Sequence, residues 1–299
     1  MTSYTSSNKN YSEILHETVT KNYKKRMIVN KLITAFTIVC VIAAIIPLGS
    51  ILIEVVKNGA SAISFEFLTQ PQGSIGSGRG GVGPAIQGTI IVVGLASLIA
   101  APVGVLAGIY LSEFAKEGVF ANSVRFFNDV LTGLPSIVIG IVGYVIIVLS
   151  IGSFSVFAGA VSLSIIMIPI VVRVTEETLK IVPYSLREAG HSLGISKAKI
   201  TLSIVLPSAK HGILTGIVLA ISRIAGETAP LIMTILGTSL FFTGITGPVD
   251  ALPLRIWRLA SQPYESAHAF GWGSALVLIL MILGMSVGLR FLARRRSFK

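Results

Sequence analysis

Six long apolar runs dominate the chain, beginning near Leu32, Gly83, Val130, Ser155, Ser203 and Gly273, with most charged residues gathered between them. A hydrocarbon core about 30 Å thick is crossed by roughly 20 helical residues, a length each run reaches. A transmembrane β-barrel needs short segments of alternating polarity, whereas these runs are continuous. The pattern predicts an all-α membrane protein with six transmembrane helices, an N-terminal tail over residues 1–31 and a membrane region over residues 32–299.

The first run, Leu32 to Val56, follows a basic stretch, as the apolar part of a secretory signal does, but it is too long for one and reads as an uncleaved first helix. The single cysteine, Cys40, lies within it and has no partner for an intrachain disulfide or cysteine cluster. The glycine-rich stretch GSIGSGRGGVGP, residues 73–84, lacks the Gly-Lys-Ser/Thr ending of a phosphate loop and reads as a flexible re-entry loop. Pro84 suits the first turn of the second helix. The segment Leu240 to Ala269 is too polar to span, and predicts an outer loop with a short helix around Leu254 to Leu259, its Arg255 and Arg258 on a solvated face, with contact to an acidic partner as the other reading.

Composition agrees with this picture: 53% of residues are hydrophobic, 12% are charged and mean hydropathy is +0.83. Charge then sets the orientation, because cytoplasmic loops carry the excess of lysine and arginine. With six spans and the N-terminus inside, 19 of the 24 cations fall on the inner side; Lys57, Arg79, Arg255 and Arg258 fall outside, and Arg223 lies within a span. Both termini are therefore expected in the cytoplasm of a multi-pass protein of the cytoplasmic membrane. The net charge of +11 follows from this topology and from attraction to anionic lipid, so no nucleic acid partner is implied. The four histidines are scattered and make no metal set. No Ser, His and Asp combination suggests a hydrolase, and Glu176 and Glu177 read as ionic contacts.

Two charges remain to be explained. In RIAGETAPL, residues 223–231, Arg223 and Glu227 sit inside the fifth apolar run. Each costs about 2.5–3.5 kcal/mol at the centre of a membrane helix on insertion scales, so such residues face a protein interior or a wet cavity. Four residues apart on a helix, they share a face and are expected to pair. Mutual neutralisation alone is the competing reading, although two apolar residues would achieve it at lower desolvation cost. Pro230 predicts a kink or break just beyond Glu227, and Gly212, Gly216 and Gly226 predict close helix approach. On the third span, Gly133, Pro135 and Ser136 shape the helix, with a substrate role as the other reading of Ser136.

The loop between the fourth and fifth spans, about residues 174–207, carries a second pattern. Ser185 and Glu188 fit a capping box that starts a short helix at Leu186, and Gly194 fits a left-handed stop. Small residues at Ala189 and Gly190 suit a stubby helix that docks into a groove of another protein; an ordinary loop helix is the other reading.

EAGHSLGISKAKITLSIVLP, residues 188–207, resembles the cytoplasmic loop shared by permease subunits of ABC importers, with Glu188, Ala189, Gly194, Ile204, Leu206 and Pro207 on the pattern and Gly190 in place of its second alanine. LTGLPSIVIGIVGY (131–144), VVRVTEETLKIVP (171–183) and GETAPL are similar to the phosphate importer permeases, the last to the PstA-type partner of that heterodimer. Arg173 also matches an arginine of that pattern, with a positive-inside anchor as its alternative.

The resemblance implies a type I ABC importer permease fold and a transport role without catalysis by this chain. It implies a second homologous permease subunit, two ATP-binding subunits docked on the Glu188 loop and an extracytoplasmic phosphate-binding protein. ATP and Mg would be used by the partner ATPase, with no cofactor on this chain. Arg223 would then offer its planar fork of donors to phosphate oxygens, and Glu227 would hold the arginine and accept a hydrogen bond from the phosphate proton. A permease for another oxyanion or a phosphonate, and an ion-coupled anion carrier with Glu227 as its proton site, are the alternatives.

Overall fold

The computed structural model describes residues 4–73, 80–115 and 118–295, with the side chains of residues 4–22, 24 and 292–295 left aside. Most of the glycine-rich stretch (74–79), with Arg79, and Lys116 lie outside the described residues.

Residues 1–56 and 57–299 form two compact units. The first is made by all but the last three residues of α1 (Tyr4–Gly59), a helix of 56 residues that would be about 84 Å long at 1.5 Å per residue. It does not break at Leu32: the expected tail and the first apolar run share one helix. Large apolar side chains such as Phe36, Ile46 and Ile53 are exposed along it, as is Cys40.

In the second unit α2 (Phe65–Thr69) precedes α3 (Gly83–Ile109), which runs on through a π turn, Tyr110–Phe114. Pro84 takes the first turn of α3, as expected. Next come α4 (Val119–Gly133) and α5 (Ser136–Gly143), the latter continuing through a π turn to α6 (Leu149–Ile151). The third apolar run is therefore not one straight helix from Val130: Val119–Gly133 and Ser136–Ile151 meet at a bend of 102°. Pro135 is the cause, since it cannot donate into a continuing ladder and holds the preceding Leu134 extended.

α7 (Val156–Ile181) leads to α8 (Tyr184–Ser192), α9 (Lys197–Ile200), a π turn at Thr201–Val205 and α10 (Leu206–Ile224). Pro207 sits in the first turn of α10, directly after that π turn. α11 (Ala229–Thr234), α12 (Leu252–Ala260) and α13 (Glu265–Arg295) complete the chain. Among the described residues five helices are long and apolar enough to cross a membrane, and six if the bent pair counts as one span. The last begins at Glu265, eight residues before the expected Gly273.

α7 is the centre of the unit. A Cβ on Gly104 or Gly108 of α3 would stand 2.7 Å from Val171 or 2.6 Å from Thr175, so only glycine admits α3 this close. On its other side Gly212 and Gly216 of α10 meet Thr178 and Val174 at 2.3 and 2.1 Å by the same test, as expected for close helix approach. Gly226 makes no such contact; it lies beyond the end of α10. The core between these helices holds Val92, Ala96, Leu163, Met167, Ala220 and Ile224. Leu98, Leu106, Ile146 and Leu283 remain exposed, as a lipid-facing surface requires.

The segment after α11 forms an outer layer. Carbonyls of Thr234, Gly247 and Ile245 accept from the N–H groups of Ser155, Val156 and Phe157, closing the open end of α7. The short helix expected near Leu254 is present, but Arg255 is not on a solvated face and Arg258 is only about a third exposed. Arg255 is 1% exposed; its Nε donates to Asp250 Oδ2 at 2.6 Å and its Nη1 contacts Gln72. Arg258 reaches the other oxygen of Asp250 and the carbonyl of Leu236 at 3.3 Å each. Burial pushes the Asp250 carboxyl above its ordinary range and the Arg255 guanidinium below its own.

Candidate functional site

Arg223 occupies the last turn of α10, which ends one residue later, and Ala225–Gly226 then turn the chain. Glu227 follows in non-helical backbone, and Thr228 leads into α11, with Pro230 in its first turn. The break thus precedes Pro230 rather than following Glu227, and Pro230 begins the next helix. The four-residue spacing consequently does not place the two charges on one helix face, and among the described residues no ion pair or hydrogen bond joins them. The expectation that Glu227 clamps Arg223 does not hold.

Arg223 and Glu227 nevertheless meet at one place, the lining of a cavity of about 90 Å³, together with Ser136 and Thr132. Ser136 comes there because the Pro135 bend ends α4 and makes it the first residue of α5. Ile139 from α5 and Ile166 and Ile170 from α7 form the apolar wall. The space suits a small polar guest with several groups to bond: a guanidinium donates, a carboxylate accepts and two hydroxyls do either. Arg173 lies elsewhere, on an exposed face of α7, where its Nε bonds Glu177 at 2.5 Å.

The loop helix is the second candidate. It starts earlier than the capping box predicts: Pro183 is its N-cap, and Ser185 is already its second residue, without a cap bond. Pro183, with φ fixed near helical values and no N–H to satisfy, opens the helix before Ser185 can serve. Gly194 behaves as expected. It has φ +72°, and the bonds from Gly194 N to the His191 carbonyl and from Ile195 N to the Gly190 carbonyl form a Schellman motif. Gly190 packs on Ile200, where a Cβ would come within 2.8 Å. Ser185, Glu188 and Ala189 point to solvent, as do Tyr184 and Leu193. This helix offers an exposed face on a firm base.

The composition-based reading of Glu176 and Glu177 as ionic residues agrees with the contacts. Glu176, buried on α7, accepts from Arg125 of α4 at 2.9 Å and from Lys180 at 2.7 Å. Asn128 of α4 donates to the Pro169 carbonyl at 3.3 Å, so α4 rests its polar side on α7. Sequence inspection gave no sign of the Arg187–Glu113 pair at 2.6 Å, because 74 residues separate its members.

Comparisons with known proteins fit this arrangement. The inward-facing MetNI methionine ABC transporter superposes on 72% of this chain and 93% of its own, with a TM-score of 0.57 at 17% identity. An amino acid ABC transporter does so at a TM-score of 0.50 and 21% identity, over 72% of this chain and 94% of its own. The fold is that of a type I ABC importer permease, a multi-pass membrane transport component. Residues 100–298 match the family described as binding-protein-dependent transport system inner membrane component. Phosphate transport system permease proteins PstA are 37% identical in Haemophilus influenzae, over 90% of this chain and 95% of the relative, and 40% identical in Xylella fastidiosa, over 92% and 96%. A probable PstA of Methanocaldococcus jannaschii is 35% identical over 94% and 97%. The chain belongs to the family of binding-protein-dependent inner membrane components and, within it, to the PstA permeases.

Proposed function

We propose that this chain is one permease subunit of an ATP-driven importer that moves inorganic phosphate into the cell. The observation that carries the reading is the joint placement of Arg223, Glu227, Ser136 and Thr132 around one small cavity between apolar walls. A guanidinium without a carboxylate partner keeps its donors for an anion. Phosphate near neutral pH still holds a proton, and Glu227 accepts a hydrogen bond from it; sulfate, fully ionised, has none to give and is repelled. Separation of Glu227 from Arg223 strengthens this division of labour, since neither side chain is consumed by the other.

The exposed face of α8, with Glu188 and Ala189 between the buried Arg187 and Gly190, docks on an ATP-binding subunit in the cytoplasm. Two such subunits use ATP and Mg, a second related permease completes the pathway and an external phosphate-binding protein delivers the substrate to the outer layer. Both termini lie in the cytoplasm. This chain holds no cofactor in this scheme.

The test is phosphate uptake in sealed vesicles holding this chain with its partner permease, ATPase and binding protein, with and without ATP and with ion gradients collapsed. Uptake that requires ATP and survives the collapse supports the importer. Uptake that follows the gradient and ignores ATP overturns it in favour of an ion-coupled carrier, and competition by other oxyanions or phosphonates at equal concentration overturns the assignment to phosphate.

A further inference from the structure

Arg187 is the one charged side chain that α8 buries. It stands next to Glu188 but turns inward. Its Nε lies 3.0 Å from Glu113 Oε2 and its Nη2 2.6 Å from Oε1, a bidentate fork. Nη1 donates to the Val182 carbonyl at 2.7 Å and Nη2 to the Leu179 carbonyl at 2.9 Å. Glu113, 2% exposed, belongs to the π turn that ends α3. One guanidinium therefore ties the loop helix both to the end of α3 and to two carbonyls at the end of α7.

The elements it grips are already locked together. Gly104 and Gly108 of α3 sit against Val171 and Thr175 of α7 with no room for a side chain, so the two helices move as a pair. α7 also supplies Ile166 and Ile170 to the cavity wall. Ile170 is nine residues from Leu179, about 13.5 Å along the helix. An apolar contact would hold α8 as cheaply or more so, but it would allow slip. A planar fork with two further carbonyl bonds fixes distance and angle at once.

We propose that the Arg187–Glu113 fork is the rigid joint that passes movement of α8 to the α3–α7 pair and so to the cavity wall, and that breaking it uncouples ATP hydrolysis from transport. The inference rests on the importer reading above. Arg187 and Glu113 are positioning residues in it, touching neither phosphate nor ATP.

The experiment uses the full transporter in proteoliposomes and measures phosphate transported per ATP hydrolysed, with assembly followed by co-purification. Glu113→Ala, Arg187→Met and the double variant are each expected to assemble, to keep at least about half of the ATPase rate and to lose about tenfold in the ratio. Because the fork acts as one unit, the double variant should fall no further than either single one. An unchanged ratio, or parallel loss of hydrolysis and transport in assembled complexes, overturns the proposal, as does a double variant whose loss is the product of the two. Should the truncations fail to assemble, Arg187→Lys decides, since it keeps the charge and loses the fork: a ratio lowered about threefold supports the joint and an unchanged one overturns it. Wild-type complexes with no ATP-dependent uptake would instead refute the importer reading itself.

Discussion

Arg223 and Glu227 reach the cavity from either side of the end of α10, so their substitutions are expected to do different things. Arg223→Ala removes charge-assisted donors worth about 1.5–3 kcal/mol, and kcat/KM for phosphate uptake should fall about 10- to 100-fold in the vesicle assay. Glu227→Gln keeps the shape and loses the charge; discrimination against sulfate should narrow about tenfold while phosphate uptake changes less. Both residues stand out in the sequence because charge inside an apolar run is costly. Their relation does not, since a four-residue spacing means one face only where the helix continues, and Pro230 signals a break beyond Glu227 while α10 ends before it, at Ile224. Asp250 shows the same limit from the other direction. It looks like a loop residue, yet it is fully buried against Arg255 and contacts Arg258. Asp250→Asn leaves a buried guanidinium without its carboxylate and should cost about 3–5 kcal/mol, read as a lower Tm of the detergent-purified protein.

Among the elements, α8 and the α4–α5 bend decide how the functional groups are presented. Gly194 holds φ +72° after α8; a Cβ there meets the left-handed penalty of about 1–2 kcal/mol. Gly194→Ala should therefore speed hydrogen exchange in the amides of α8 about 5- to 30-fold and leave those of α7 unchanged. The stop was legible because a left-handed residue after a polar helical stretch favours glycine. The start was not: Ser185 and Glu188 satisfy a capping pattern that Pro183 pre-empts. The bend at Leu134–Pro135 was legible as helix shaping at Pro135, but not as a turn of 102°. The polar groups that hold α4 across α7, Arg125 on Glu176 and Asn128 on Pro169, come from distant parts of the chain.

For the molecule as a whole, the distribution of lysine and arginine predicts a single orientation, which cysteine labelling checks. In a Cys40→Ser background, Leu193→Cys next to α8 should resist a membrane-impermeant maleimide in intact cells and react in inverted vesicles. Trp257→Cys in the outer layer should do the reverse; both positions are exposed. Labelling of Leu193→Cys from outside would invert the topology and remove α8 from the ATPase. The six-span outline was legible because lipid demands long apolar runs, whereas the packing order was not, because glycine grooves on α3 and α10 reveal their partner only when assembled. The division after Val56 also bears on how the protein is made. The first helix carries its own apolar length and its own basic flank, Lys25, Arg26 and Lys31, so it can enter the bilayer while the rest of the chain is still being translated. The side of the membrane taken by each later loop is then settled before α7 and the helices that clasp it have met.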